Sequence, residues 1–123
     1  MSPSAVKCYQ DLTVWQKSMT LTTHVYKLTE AFLKSEQFGL TSQMRRAAVS
    51  IPSNIAEGQS RNSTGEFRQF LGISKGSLAE LETQIEVALR LTYLQEAQVI
   101  EVRSLCVEIS KMLAGLSRSL ANH

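Results

Sequence analysis

Pro52 stands in the middle of an otherwise helical stretch, Gln43 to Arg61, and constrains how this chain can fold more than any other residue. At helical spacing Met44, Ala47, Ala48, Ile51, Ile55 and Gly58 share one face, which reads as a core stripe. Arg46, Ser50, Ser53, Asn54 and Glu57 form a polar stripe. Val49, Pro52 and Ala56 make a second apolar patch on the far side, beside Arg45. That patch implies a helix covered twice, the second time by another subunit. Proline has no N–H, so the carbonyl of Ala48 loses its helical partner, at a cost of about 3 kcal/mol relative to alanine. Ser50, Ser53 and Asn54 are close enough to hydrogen-bond freed backbone groups. The proline then either bends the helix to shape a packing surface, or presents Ser53, Asn54 and Glu57 to a partner.

Three more amphipathic helices flank this one. Helix 1 is expected over Thr13 to Leu33, capped by Asp11, with a seam of Trp15, Met19, Thr22, Tyr26, Thr29 and Leu33. Spacings of four and three suit bundle packing at a crossing angle of about 20°. Lys34 to Gly39 reads as a turn, with Phe38 and Leu40 plugging the bundle end. Thr41 is the expected cap of helix 2, and Gly58 its C-terminal stop. Ser63 and Glu66 match a capping box for helix 3, Thr64 to Leu91. Its seam is Phe67, Leu71, Ser74, Leu78, Leu81, Ile85, Ala88 and Thr92. Gly72, Ile73, Gly76, Val87 and Leu91 give this helix a second side too. Two glycines four apart, each costing about 1 kcal/mol in a helix interior, admit a neighbouring helix or a ligand at close range. Helix 4, Gln95 to Leu120, carries a seam of Val99, Val102, Cys106, Ile109, Leu113, Leu116 and Leu120. The expected domain plan is a flexible lead over 1–10, a bundle over 11–120 and a frayed end at 121–123. The fold class is all-α, an antiparallel up-down-up-down four-helix bundle.

The totals exclude several classes. A chain of 123 residues that is 43% hydrophobic fits one folded domain. No apolar run reaches the ~18 residues of a membrane span. Met1 to Gln10 holds one lysine and no apolar core of a signal peptide, so a cytoplasmic location is expected. Cys8 and Cys106 form no CxxC motif, and Cys106 lies on a core seam. Bundle di-metal sites need paired Glu-x-x-His motifs, and none occurs. His24 lacks ligand-type neighbours on its helix and reads as a surface or edge residue; the other histidine is the terminal His123. No phosphate-binding glycine loop is present, and Glu80 and Glu82 face different ways. No enzyme, cofactor or metal is therefore expected.

At Pro52 the chain also resembles a known family. The runs are Asp11-Leu12-x-Val14-Trp15-Gln16-Lys17, Phe38-Gly39-Leu40-x-x-Gln43-x-Arg45-Arg46-Ala47-Ala48, Ser50-Ile51-Pro52-x-Asn54-Ile55-Ala56-Glu57-Gly58, and Gly76-Ser77-x-x-Glu80-Leu81-Glu82-Thr83-Gln84. They resemble the bacterial four-helix-bundle proteins encoded in intervening sequences of 23S rRNA genes. Those are similar in turn to the accessory variability protein of diversity-generating retroelements. The resemblance spans about residues 10 to 120; Thr92 stands where the family often has glycine. It implies a homopentameric ring and a ribosome-associated role beside rRNA, or beside a reverse transcriptase and its RNA in the retroelement relatives.

Two non-catalytic functions remain. Residues 1–75 hold nine Lys/Arg against five Asp/Glu, a net +4, while 76–123 hold four against six, a net −2. That asymmetry permits polyanion contact. In the first reading the oligomer binds RNA or a ribonucleoprotein, with Arg45, Arg46, Arg61, Arg68 and Lys75 on phosphates. The bland counterpart is a set of solvated charges or ion pairs, for instance Arg46 with a nearby glutamate. Trp15, Tyr26 and the phenylalanines of helix 3 read as core, leaving no platform for stacking bases. In the second reading it is a protein-interaction scaffold with no direct nucleic-acid contact. Either way the second faces of helices 2 and 3 hold subunits together, through Val49, Pro52, Ala56, Gly72, Ile73, Gly76 and Val87.

Overall fold

The computed structural model describes residues 8–122. The expected flexible lead over 1–7 and the terminal His123 lie outside the described residues. Four helices carry the fold: α1 (Thr13–Thr29), α2 (Leu40–Gln59), α3 (Thr64–Arg90) and α4 (Ile100–Ala121). Three 3-10 turns, Tyr9–Asp11, Lys34–Glu36 and Glu96–Val99, lie between or before them. Among the described residues there is no strand, and no helix is long and apolar enough to cross a membrane.

Helix starts and stops correct the sequence in detail. Residues 8–10 are not a free lead. The Tyr9 ring meets Trp15 edge-on at 5.4 Å, and the Asp11 carboxylate accepts the Cys8 N–H at 3.3 Å rather than capping α1. α1 stops at Thr29, four residues short of Leu33, which is exposed. Thr41 lies inside α2; Gly39 is its N-cap, and the free N–H of Leu40 bonds to Glu36 Oε1 at 3.0 Å. Gly58 is not a stop. It sits buried inside α2 where a Cβ would fall 2.7 Å from Phe70 Cβ, so it is glycine because α3 passes so near. Ser63 caps α3 as expected, accepting from the Glu66 N–H at 3.2 Å.

The core is formed by Leu21, Val25, Met44, Ile51, Ile55, Leu78, Leu81, Ile85 and Ile109, among others. The α3 and α4 seams are buried as read, except that Phe67, Leu116 and Leu120 are half-buried and Thr92 is exposed. Thr92 lies beyond α3 with φ 60°. On α1 the expected seam holds only in part: Thr22 and Thr29 are buried and Trp15 is half-buried against the core. Met19, Tyr26 and Leu33 are exposed, while Val14, Ser18, Leu21, Thr22, Val25 and Thr29 are buried. The small polar residues fit because each hydroxyl bonds back along the helix: Ser18 to Val14 O at 2.7 Å, Thr22 to Ser18 O at 2.8 Å and Thr29 to Val25 O at 2.8 Å. Those bonds give each buried hydroxyl a partner on its own helix, and Thr22 shares its proton with a second acceptor on α2.

Pro52 does not stop α2, which runs through it. The Ala48 carbonyl it leaves bare accepts from Thr22 Oγ1 of α1 at 3.1 Å. Ser74 Oγ of α3 donates to Ile51 O at 2.8 Å. Contacts between successive helices run in opposite order: Thr22 with Ala48 but Thr29 with Arg45, Ser50 with Ser77 but Gly58 with Phe67. Arg68 likewise meets Ser117 while Glu86 meets Arg103. Lys17 pairs with Glu108 at 2.9 Å and His24 with Glu101 at 3.7 Å, which ties α1 to α4. Cys106 is buried inside, and burial pushes its thiol up to about 12.

Candidate nucleic-acid interface

Arg45 and Arg46 are neighbours on α2 with different surroundings. Arg45 is held: its Nε donates to Thr29 Oγ1 at 2.9 Å, Nη2 donates to Tyr26 O at 3.3 Å, and the guanidinium lies 4.5 Å above the Tyr26 ring. Arg46 is exposed and has no hydrogen bond or ion pair among the described residues, so the alternative of an Arg46–glutamate pair is not seen there. Both border a concavity of about 600 Å³ together with Tyr26, Phe38, Val49 and Ser50. Beyond Phe38 and Arg46 it continues into a second hollow of about 580 Å³ over Ser77, Glu80 and Gln84.

The wall that the two hollows share at Ser50 is polar and set. Ser50 Oγ and Ser77 Oγ are 2.8 Å apart, and Asn54 Nδ2 donates to Ser50 O at 2.8 Å and to Ser50 Oγ at 3.0 Å. Gln84 Oε1 is buried there without a hydrogen-bond donor. Phe38, expected as an end plug, is instead 90% exposed. Tyr26, expected in the core, is 41% exposed. Two aromatic side chains therefore flank two arginines, which is the combination that stacks bases and neutralises phosphates. Hydropathy counts both aromatics as core formers; Tyr26 lies off the buried stripe of α1, and Phe38 stands in the connection beyond the end of α1 at Thr29.

The remaining basic candidates part company. Arg61 pairs with Glu57 at 3.3 Å and Glu66 at 4.0 Å and covers the Phe70 ring at 4.9 Å, so its charge is compensated within the chain. Arg68 and Lys75 border a cleft on the other side of α3, with Arg118 of α4. Arg118 was not legible as a contact, because only the register of α4 against α3 brings it there.

The expected subunit-contact residues divide as well. Val49 is 41% exposed, and Ile73 and Val87 are also exposed. A Cβ on Gly72 or Gly76 would meet nothing within 4 Å, so neither glycine serves a close helix crossing within this chain. Ala56 is half-buried. Pro52 is buried within the chain itself, so this part of the second patch is not left open for another subunit. Among the described residues no three His, Cys, Asp or Glu side chains converge as a metal ion would require.

The family model for the 23S rRNA-intervening sequence protein matches residues 10–115. The chain belongs to this family. A solved structure also resembles this 23S rRNA-intervening sequence family member. It is a protein of unknown function from the S23 ribosomal protein family of Bacteroides thetaiotaomicron. It superposes with a TM-score of 0.78 at 24% identity, over 85% of this chain and 95% of that one. That likeness establishes the fold. No curated protein matches the chain.

Proposed function

We propose that this family member is a non-catalytic adaptor that associates with RNA or a ribonucleoprotein in the cytoplasm. Its protomer is an antiparallel up-down-up-down bundle, and its working form is a homo-oligomer, on the family resemblance a pentameric ring. The opposite running order of contacts between successive helices supports the bundle topology. The observation that carries the RNA reading is Arg46, a cation without a carboxylate partner, beside an almost fully exposed Phe38. Uncovered Val49, Ile73, Gly76 and Val87 support the oligomer. A ring repeats Arg46 and Phe38 around its axis, so a mild net charge of +2 per chain becomes a strong local field.

A salt titration on a labelled 23S rRNA fragment, with protein sized by light scattering, tests this. Affinity should fall with salt by about 0.7 to 0.9 log units per decade for each phosphate neutralised. Phe38→Ala should weaken binding by about 1 to 3 kcal/mol per stacked base with the salt slope unchanged. Absence of binding at low salt overturns the RNA reading. The second reading, a protein-interaction scaffold, is favoured by the same exposed Phe38 next to Val49; it predicts a Phe38-dependent protein partner and no salt-sensitive RNA binding.

A further inference from the structure

We infer that the cleft between α3 and α4 is a second anion site, one that grips the phosphodiester backbone of RNA without reading bases. The inference rests on the proposed RNA association but concerns a different surface from the Arg46 hollows. Arg68, Lys75 and Arg118 border the cleft, and no carboxylate does. Several cations elsewhere are paired with acids: Arg61 with Glu57, Arg103 and Arg90 with Glu86, Lys17 with Glu108. Here none is.

The cleft is also built rather than merely charged. Arg68 Nε donates to Ser117 O at 3.1 Å and reaches Ser117 Oγ at 3.4 Å. Those bonds anchor the guanidinium to α4 and leave its terminal nitrogens for a ligand. Such a fork suits the paired oxygens of a phosphate. Lys75 follows Arg68 by two helical turns, about 10 Å along the axis, so the row extends along a strand. Gly72 lies between them, and the space a Cβ would take there is empty, so a phosphate can approach the helix backbone.

Size and lining identify the ligand class. The cleft is an open groove of about 240 Å³, with room for a hydrated phosphate group. Its other walls are Leu71, Leu113 and Ala114. No aromatic ring is present for a base to stack on. Contacts confined to phosphates give affinity without sequence preference.

Anisotropy titrations of the full chain with short oligouridylate and oligoadenylate test the site. Lys75→Ala and Arg118→Ala should each weaken both oligonucleotides equally, about tenfold, and each should make the salt slope shallower by about 0.7. Lys27→Ala, on exposed α1 surface, should stay within about twofold. If both cleft variants bind RNA with wild-type affinity and slope, the cleft is overturned while the RNA reading stands. If the wild-type protein binds no RNA at all, that reading fails, and pyrophosphate decides the cleft by NMR. Shifts of the Gly72 and Lys75 amides that vanish in Arg118→Ala then sustain an anion site, and their absence overturns it. Polyglutamate competing as well as oligouridylate would make the ligand an acidic protein segment and overturn the phosphodiester assignment.

Discussion

Thr92 holds the chain's left-handed backbone angle among the described residues, φ 60°. A β-branched side chain is strained in that region, and its hydroxyl answers with a local bond to Leu91 O at 2.6 Å. Glycine has no such strain. Thr92→Gly should raise stability by about 1 kcal/mol, read as a higher denaturant midpoint with unchanged helicity. Glu36 gives a pH prediction. The Leu40 N–H and then the Tyr93 hydroxyl, at 2.8 Å, hold its carboxyl below the ordinary range, and the same contact raises Tyr93. A lowered carboxylate contributes stability above its unfolded pKa and loses it as pH falls through the folded value. A raised tyrosine keeps its contribution up to its unfolded pKa near ~10. The latch between the α1–α2 and α3–α4 connections should therefore be intact from above the carboxylate range to about pH 10. Tyr93→Phe should shrink the acid-side loss of melting temperature; an acid limb identical to wild type would show that the latch is not the titrating element.

Between elements, the contact that matters most is Thr22 Oγ1 on the carbonyl freed by Pro52. Thr22→Val keeps the shape and removes the donor, leaving Ala48 O buried and bare. The expected loss is about 1 to 3 kcal/mol, measurable by urea unfolding, and the same change combined with Pro52→Ala should cost less because the helical N–H is restored. The example also shows what was readable from residue order. A proline at position 52 announces an orphaned carbonyl, but its donor lies 26 residues away on another helix. The α3 and α4 seams were legible because leucine, isoleucine and valine mark one stripe each. α1 was not, because it has two stripes, Val14–Leu21–Val25 and Trp15–Met19–Tyr26. The buried one is filled out with Ser18, Thr22 and Thr29, which hydropathy scores as polar. The candidate site followed suit. Arg45 and Arg46 were visible as cations, yet only the packing of α1 shows Arg45 held on Tyr26 and Arg46 left free.

For the whole molecule, the uncovered faces of α2 and α3 set the expectation for assembly. Val49→Glu places a charge where a second copy should pack and should lower the native mass by light scattering while circular dichroism stays unchanged; a retained mass would remove Val49 from the contact. Pro52 belongs to the interior of one chain, so changes there should lower stability before they change subunit number. The Thr22–Ala48 contact has a further consequence for how such a chain comes into being. α1 leaves the ribosome before α2, so the hydroxyl is already waiting when the proline-broken turn emerges. A circular permutant that makes α1 last would reverse that order, and α2 would have to wait with its carbonyl turned to water until synthesis was complete.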